Sequence, residues 1–326
     1  MPVPVSIGVE IGSRALGAVA TDRAGRTLGR LRLTRETSSV APSESDLARL
    51  ASALRRRGWV ARSAWAVAPR EATTLHGLTL PPPETGAPLD KLARAEVARI
   101  GHRSEDSFEL AWWLAPMAHR RGESVLATAA VVDHDTSTAV LDGFESVGLS
   151  LRGLLPSAWA LVAGAREDLP TSGLGVLLDV GWGRSSLVAV SGDAPAYERR
   201  LSSAFGMYVR SVAERLDLSD AEALRTIGRV GELEGRLAEI VADGLRRFGE
   251  GLAAELDESI GYLRSLWPDE SIGQIVLSGA EASGLDDWLM TAIGLSVISP
   301  TRAPASMVSA YGASLIAGGC ERRAAA

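Results

Sequence analysis

Two short stretches of the chain place an acid, an apolar residue and a glycine in the same order. Glu10-Ile11-Gly12-Ser13-Arg14 is the first, and Asp179-Val180-Gly181-Trp182-Gly183-Arg184-Ser185-Ser186 is the second. Glycine at such a turn lets the backbone approach phosphate oxygens closely and offer its amides to them. The acid cannot face a phosphate directly, but it can hold a hydrated Mg²⁺ that bridges phosphates. This chemistry makes Glu10, Gly12, Ser13, Arg14, Asp179, Gly181, Gly183, Arg184 and Ser185 candidate ligand residues, with Glu10 and Asp179 as candidate metal ligands. Each turn taken alone reads equally as an ordinary hairpin. The arginines at 14 and 184 either pair with phosphate or face solvent. A third glycine loop, Gly279-Ala280-Glu281-Ala282-Ser283-Gly284, lies between an apolar run and a helical pattern. Its Gly279 and Gly284 would set helix-end amides against a ligand, or serve a plain strand-to-helix connection.

The elements around these turns repeat. Ile7-Gly8-Val9-Glu10-Ile11-Gly12 lines up with Val176-Leu177-Leu178-Asp179-Val180-Gly181, and both lead through a tight turn into a second and a third strand. The offset is too long for a solenoid period and suits a duplicated domain, with a cleft between two facing lobes. In the first half, strands are expected within 5–20, 26–33, 65–68 and 75–80, with a helix over 43–57 carrying Leu47, Leu50 and Leu54 on one face. Pro81-Pro82-Pro83 breaks the pattern. The block from about 80 to 150 then reads as β-α-β-β-α, with Trp112-Trp113 on a strand as core, interface rim or partner groove. In the second half, strands are expected at 175–181, 185–191 and 197–201. Two short helices, a long helix from about Leu233 to Pro268, a strand at 274–278, a helix at 285–293, a strand at 296–298 and a closing helix at 307–317 follow.

Composition narrows the chemistry. The 326 residues are 46% hydrophobic and 23% charged, as in a well-packed globule. A net charge of −6, without an Arg-rich run bearing interleaved aromatics, argues against nucleic acid as a partner. Of 34 basic residues only Lys91 is a lysine, and no glycine-rich loop precedes it, which disfavours P-loop and Schiff-base mechanisms. Cys320 stands alone and the four histidines lack metal-ligand spacing. The first residues do not read as a signal peptide, and no apolar run is long enough to span a bilayer, so a cytoplasmic protein without direct membrane insertion is expected.

The order of acid-x-Gly turn, inserted block, Asp-x-Gly-x-Gly turn, strand–glycine–helix and closing helix resembles that of the actin/Hsp70/sugar-kinase superfamily. Within it the chain is most similar to the PilM family of type IV pilus systems, with FtsA next. The likeness is strongest at Leu178-Asp179-Val180-Gly181, Glu198-Arg199-Arg200-Leu201, Phe205-Gly206, Leu218-Ser219-Asp220-Ala221-Glu222-Ala223 and Gln274-Ile275-Val276-Leu277-Ser278-Gly279. It implies an α/β, actin-like duplicated ATPase fold: two RNase H-like domains around a cleft, with an inserted 1C-type α+β subdomain. The corresponding division is residues 1–80 for the first part of domain 1A, 81–150 for the 1C-like insertion, 151–173 for the return to 1A, and 174–326 for domain 2 with a closing helix back to 1A. The resemblance further implies ATP and Mg²⁺ in the cleft, and adds Gly206 and Glu222 to the candidate ligand residues, although Glu222 also suits its helix dipole. The implied partner is the N-terminal cytoplasmic tail of a PilN-like inner-membrane protein, which would recruit the chain to that membrane as an assembly adaptor. Homo-oligomerisation is left open, as are two rival readings: a small-molecule kinase of the superfamily and an FtsA-like filament-forming membrane organiser. The chain departs from the family pattern in three places. Glu10 stands where aspartate is common, the loop after Gly279 is short and lacks paired glycines, and Arg14 and Arg184 replace small residues. No residue presents itself as a hydrolytic base, and a pseudo-ATPase that keeps the fold without the nucleotide is a variant of the same reading.

Overall fold

The structure, a computed structural model, describes residues 3–36, 39–115, 124–279 and 285–324. In chain order the first half forms β1 (Val3–Ile11), β2 (Ala15–Thr21), β3 (Thr27–Thr34), α1 (Glu44–Arg56), β4 (Trp59–Val67), β5 (Thr73–Leu80), α2 (Leu89–Gly101), β6 (Phe108–Leu114), β7 (Val125–Asp133), α3 (His134–Ser146), β8 (Leu154–Leu155) and α4 (Ser157–Ala165). The second half forms β9 (Leu174–Val180), β10 (Ser185–Ser191), β11 (Ala194–Leu201), α5 (Phe205–Leu216), α6 (Asp220–Ile227), α7 (Gly235–Leu266), β12 (Gln274–Gly279), α8 (Leu285–Ile293), β13 (Ser296–Ile298) and α9 (Val308–Ala324).

The two large sheets have the same topology. One runs β3-β2-β1-β4-β8 and the other β11-β10-β9-β12-β13. In each, the first three strands are antiparallel neighbours and the last two join in parallel. The repeat seen between Glu10 and Asp179 therefore extends to strand order and direction throughout both sheets. β9 and β10 are buried along their whole length because both faces of their sheet are covered, and LGVLLDV accordingly shows no polar alternation. β3, at an edge, alternates: Arg30 and Arg32 point out while Leu31 points in.

Helix ends follow local chemistry. Ser43 caps α1 in a reciprocal box with Asp46, and Ser219 caps α6 in the same way with Glu222. α7 runs for 32 residues on a stripe that includes Phe248, Leu252, Leu256, Ile260 and Leu263, and it stops at Trp267, before Pro268.

α4 and α9 lie between the two sheets. Their Ala158, Leu161, Val308 and Ala310 share one buried cluster with Val19 of β2, Leu177 of β9, Val188 of β10 and Val276 of β12. The contact is close enough to demand glycine. A Cβ on Gly312 of α9 would sit 1.8 Å from the carbonyl oxygen of Ala160 in α4, and one on Gly8 of β1 would sit 2.0 Å from that of Ala310. The closing helix is thus clamped onto the first sheet at backbone distance.

A third, smaller sheet, β5-β7-β6, is covered by α2 and has its own core of Leu78, Leu80, Val97, Phe108 and Val131. Trp113 of β6 is buried; its indole meets Trp159 edge-on and donates to the carbonyl of Pro195, tying this sheet to the second lobe. Trp112, half-buried, donates instead to Asp90 on α2. α3, which follows β7, delivers Val140 and Phe144 to the core of the first lobe beside Leu47 and Leu50.

Candidate functional site

Glu10 and Asp179 are each the last residue but one of a central strand, β1 and β9. Glu10 stands opposite Val67 and Gly17, and Asp179 opposite Ser278 and Ser186, so the duplicated sheets deliver the two acids at equivalent positions. The turns that follow face one another across a cavity of about 420 Å³. Its walls include Glu10, Gly12, Ser13 and Arg14 from one lobe and Asp179, Gly181, Arg184 and Gly279 from the other.

Each turn is shaped by contacts that leave little freedom. The Gly12 amide donates to the carbonyl of Ala15, and a Cβ on Gly181 would fall 2.2 Å from the carbonyl oxygen of Arg184. Gly279 has φ +96°, and any side chain there would collide with the backbone of Val180, so the end of β12 must be glycine to lie beside β9. Gly284 lies outside the described residues.

The first turn rests on Arg35, a residue that no motif marked. This buried side chain pairs with Asp46, and its guanidinium donates to the carbonyls of Gly12, Ser39 and Ala41. Its own amide donates to the carbonyl of Arg14. Burial pushes the Asp46 carboxyl up, but hydrogen bonds from the Glu36 amide, Arg49 and Ser43 outweigh it and hold the group below the ordinary carboxylate value.

Arg14 crosses the cleft. Its guanidinium lies 4.1 Å from the centre of the Trp182 ring and 3.6 Å from Asp220 at the start of α6. The arginine of the first turn therefore faces the second lobe rather than open solvent. Arg184 is exposed at the cavity edge.

Four candidates are not among the cavity-lining residues. Gly183 is exposed, and a Cβ there would lie 3.1 Å from Glu71. Ser185 is buried in β10. Gly206 packs against Trp182 and donates to its carbonyl, while Phe205 donates to that of Gly181, so the first amides of α5 are already satisfied. Glu222 turns back onto Ser219 in the capping box, whose hydrogen bonds hold its carboxyl below the usual value; α6 presents Leu224, Ile227 and Gly228 to the cavity in its place.

The largest surprise is the segment after β4. Arg70 enters the cleft and contacts Asp179 Oδ2 directly, with the same Nη2 4.0 Å from Glu10 Oε1. Its neighbours hold it there: Thr73 closes a turn onto Pro69, and Arg200 of β11 donates to the carbonyl of Thr73 from the opposite lobe. Glu198, two residues before Arg200, accepts from Ser157 at the start of α4. Burial raises the Glu198 carboxyl, and the positive charges of Arg70 and Arg200 only partly offset that.

This arrangement bears on the reading of Glu10 and Asp179 as metal ligands. The Arg70 guanidinium contacts Asp179 and lies 4.0 Å from Glu10, so a divalent cation between the two acids would meet a like charge. Among the described residues, no group of three His, Cys, Asp or Glu side chains could hold a metal ion. Mg²⁺ on a nucleotide needs only one or two carboxylates beside water and phosphate, so what bears on it here is that Arg70 lies against Asp179 and near Glu10. One hydroxyl that could meet an anion does remain: Ser13 lines the cavity, and its hydroxyl is buried without a hydrogen-bond partner among the described residues.

Comparison of the whole fold bears on the function. No protein-family model and no curated protein matches the sequence. Among solved structures, the chain is similar to that of a PilM–PilN type IV pilus biogenesis complex, with a TM-score of 0.81 at 18% identity over 96% of this chain and 98% of that one. It is also similar to the ethanolamine utilization protein EutJ from Carboxydothermus hydrogenoformans, with a TM-score of 0.59 at 15% identity over 97% and 90% of the two chains. A third is MreB5 of Spiroplasma citri bound to ADP, with a TM-score of 0.52 at 9% identity over 100% and 99%. The chain has the actin-like ATPase fold, and the resemblance read from its sequence holds at that level.

Proposed function

We propose that this chain is an assembly adaptor that holds the N-terminal cytoplasmic tail of a PilN-like inner-membrane protein and, through it, joins the platform of a type IV pilus or a related secretion system. The likeness to the PilM–PilN complex carries the reading. Its coverage of 96% and 98% is too complete to omit the β5-β7-β6 sheet and α2, the insertion that distinguishes this shape from a bare two-lobed cleft. The cleft favours an adaptor over a turnover enzyme, because three arginines at or beside it hold the lobes to each other: Arg14 on Trp182 and Asp220, Arg70 on Asp179, and Arg200 on Thr73. Among the described residues no helix is long and apolar enough to cross a membrane, so the partner would supply the anchor.

The tail would lie against the small sheet and α2, where Leu92 and Ile100 expose apolar surface. Titration with a synthetic peptide of the tail of the PilN-like protein from the same genome tests this. Saturable one-to-one binding, weakened in Leu92→Glu and Ile100→Glu variants of unchanged melting temperature, is the expected result. Absence of binding by the folded wild type refutes the adaptor reading, and undiminished binding by both variants removes α2 from the groove.

A further inference from the structure

We infer that Arg70 is a built-in cation that takes the place of the bridging divalent metal in this cleft, so that Mg²⁺ has no part in closing it or in any nucleotide binding there. The inference stands on the cleft alone and is independent of the adaptor reading.

Three observations converge. The first is position. The Arg70 guanidinium touches Asp179 and approaches Glu10, the two acids that the duplicated sheets place at equivalent strand ends. It also lies 3.6 Å from where a Cβ on Gly181 would be, so it covers the glycine of the second turn.

The second is burial. The Asp179 side chain is 3% exposed, that of Arg70 16% and that of Glu10 26%. A carboxylate as buried as Asp179 needs a counter-charge, and within the chain Arg70 supplies it. A guanidinium is always protonated and can bridge two carboxylates in a way that a mobile ion does only when its concentration allows.

The third is support. The backbone that carries Arg70 is held in place. The turn Pro69–Thr73 fixes its backbone, and Arg200 grips that turn from the opposite lobe. Glu71, next in the chain, reaches Gly183 of the second turn. The whole segment is thus docked across the cleft, and its charge arrives covalently tethered. Tethering converts cation binding into an intramolecular step and makes it insensitive to metal concentration.

Thermal denaturation and calorimetric ATP titration, each in EDTA and in 10 mM MgCl₂, test the inference on wild type, Arg70→Lys and Arg70→Gln. Wild type is expected to melt at the same temperature in both buffers. ATP should bind it equally well with and without the metal, or in neither buffer; both results leave Mg²⁺ without a role. Arg70→Lys keeps a tethered cation and should behave the same way. Arg70→Gln leaves the two acids without their cation, so it should melt lower in EDTA and recover with MgCl₂. Wild-type ATP affinity that appears or rises tenfold or more with MgCl₂ overturns the inference, and this arm stands even where Arg70→Gln does not fold. A folded Arg70→Gln protein indifferent to MgCl₂ overturns it as well, because the two acids would then form no cation site.

Discussion

Arg35 offers the sharpest test of how the first turn is built. Its side chain is almost wholly buried and lies 3.5 Å from Asp46, whose side chain has no exposed surface. Replacing Arg35 with Ala leaves a buried carboxylate short of its cation, which costs about 3–5 kcal/mol in comparable cases. Asp46 retains Arg49, the Glu36 amide and the Ser43 amide, so the low end of that range applies. The carbonyls of Gly12, Ser39 and Ala41 also lose a donor, but Ser39 is exposed and water can replace the bond there. The expected loss is about 3–4 kcal/mol, or roughly 6–16 °C in melting temperature at 2–4 °C per kcal/mol. Calorimetry or circular dichroism reads it directly. The second arm is Asp46→Asn in the Arg35→Ala background. Removing the stranded charge should return about 1–2 kcal/mol, whereas the same change in wild type should destabilise. A loss below about 1 kcal/mol for Arg35→Ala, or no recovery when Asp46→Asn is added to it, would refute the argument that this pair holds the Gly12 turn.

Other expectations follow from the same geometry. Gly312→Ala forces α9 away from α4 and should cost about 1–3 kcal/mol by overpacking, whereas Gly261→Ala in α7, where a Cβ meets nothing within 4 Å, should gain about 0.5–1 kcal/mol; chemical denaturation of the two variants checks the opposite signs. Arg14→Ala removes a cation–π contact and an ion pair, yet the Arg14 and Asp220 side chains are 31% and 41% exposed, so a loss of about 1 kcal/mol is expected and one above about 3 kcal/mol would contradict the exposed geometry. Asp46 and Glu255 are both held below their ordinary values; in Glu255 burial opposes, but Ser203 and Ser202 donate to the carboxylate and prevail. Their contribution is present above the unfolded values of 3.8 and 4.5 and is lost as pH falls through the depressed folded values, so acid melts should show stability dropping below that window. Glu198 has the opposite sign: its folded value is raised, so its contribution is lost as pH rises through that value, and Glu198→Gln should gain more in melting temperature at pH 8 than at pH 5.

The strand pattern and the duplication were legible because burial on both faces leaves near-continuous apolar runs, and Glu10 and Asp179 mark the same point in each. The turns were legible for a related reason: Gly181 and Gly279 are forced by backbone approach, and that constraint is written in residue type. What stayed hidden was the charge that completes the site. In a chain whose basic residues are nearly all arginine, Arg35 and Arg70 carry no compositional signal. One follows an edge strand and the other a strand end, and neither sits at a spacing that a motif would catch. Their roles come from long-range contacts, across 23 residues to Gly12 and across the two lobes to Asp179. Sequence position marked the two acids but carried no sign of the arginine that lies beside them. A metal-bridged cleft and an arginine-bridged cleft share the same acid–apolar–glycine turns. Only the residue arriving from outside those turns distinguishes them, and here Arg70 reaches Asp179 from the other lobe.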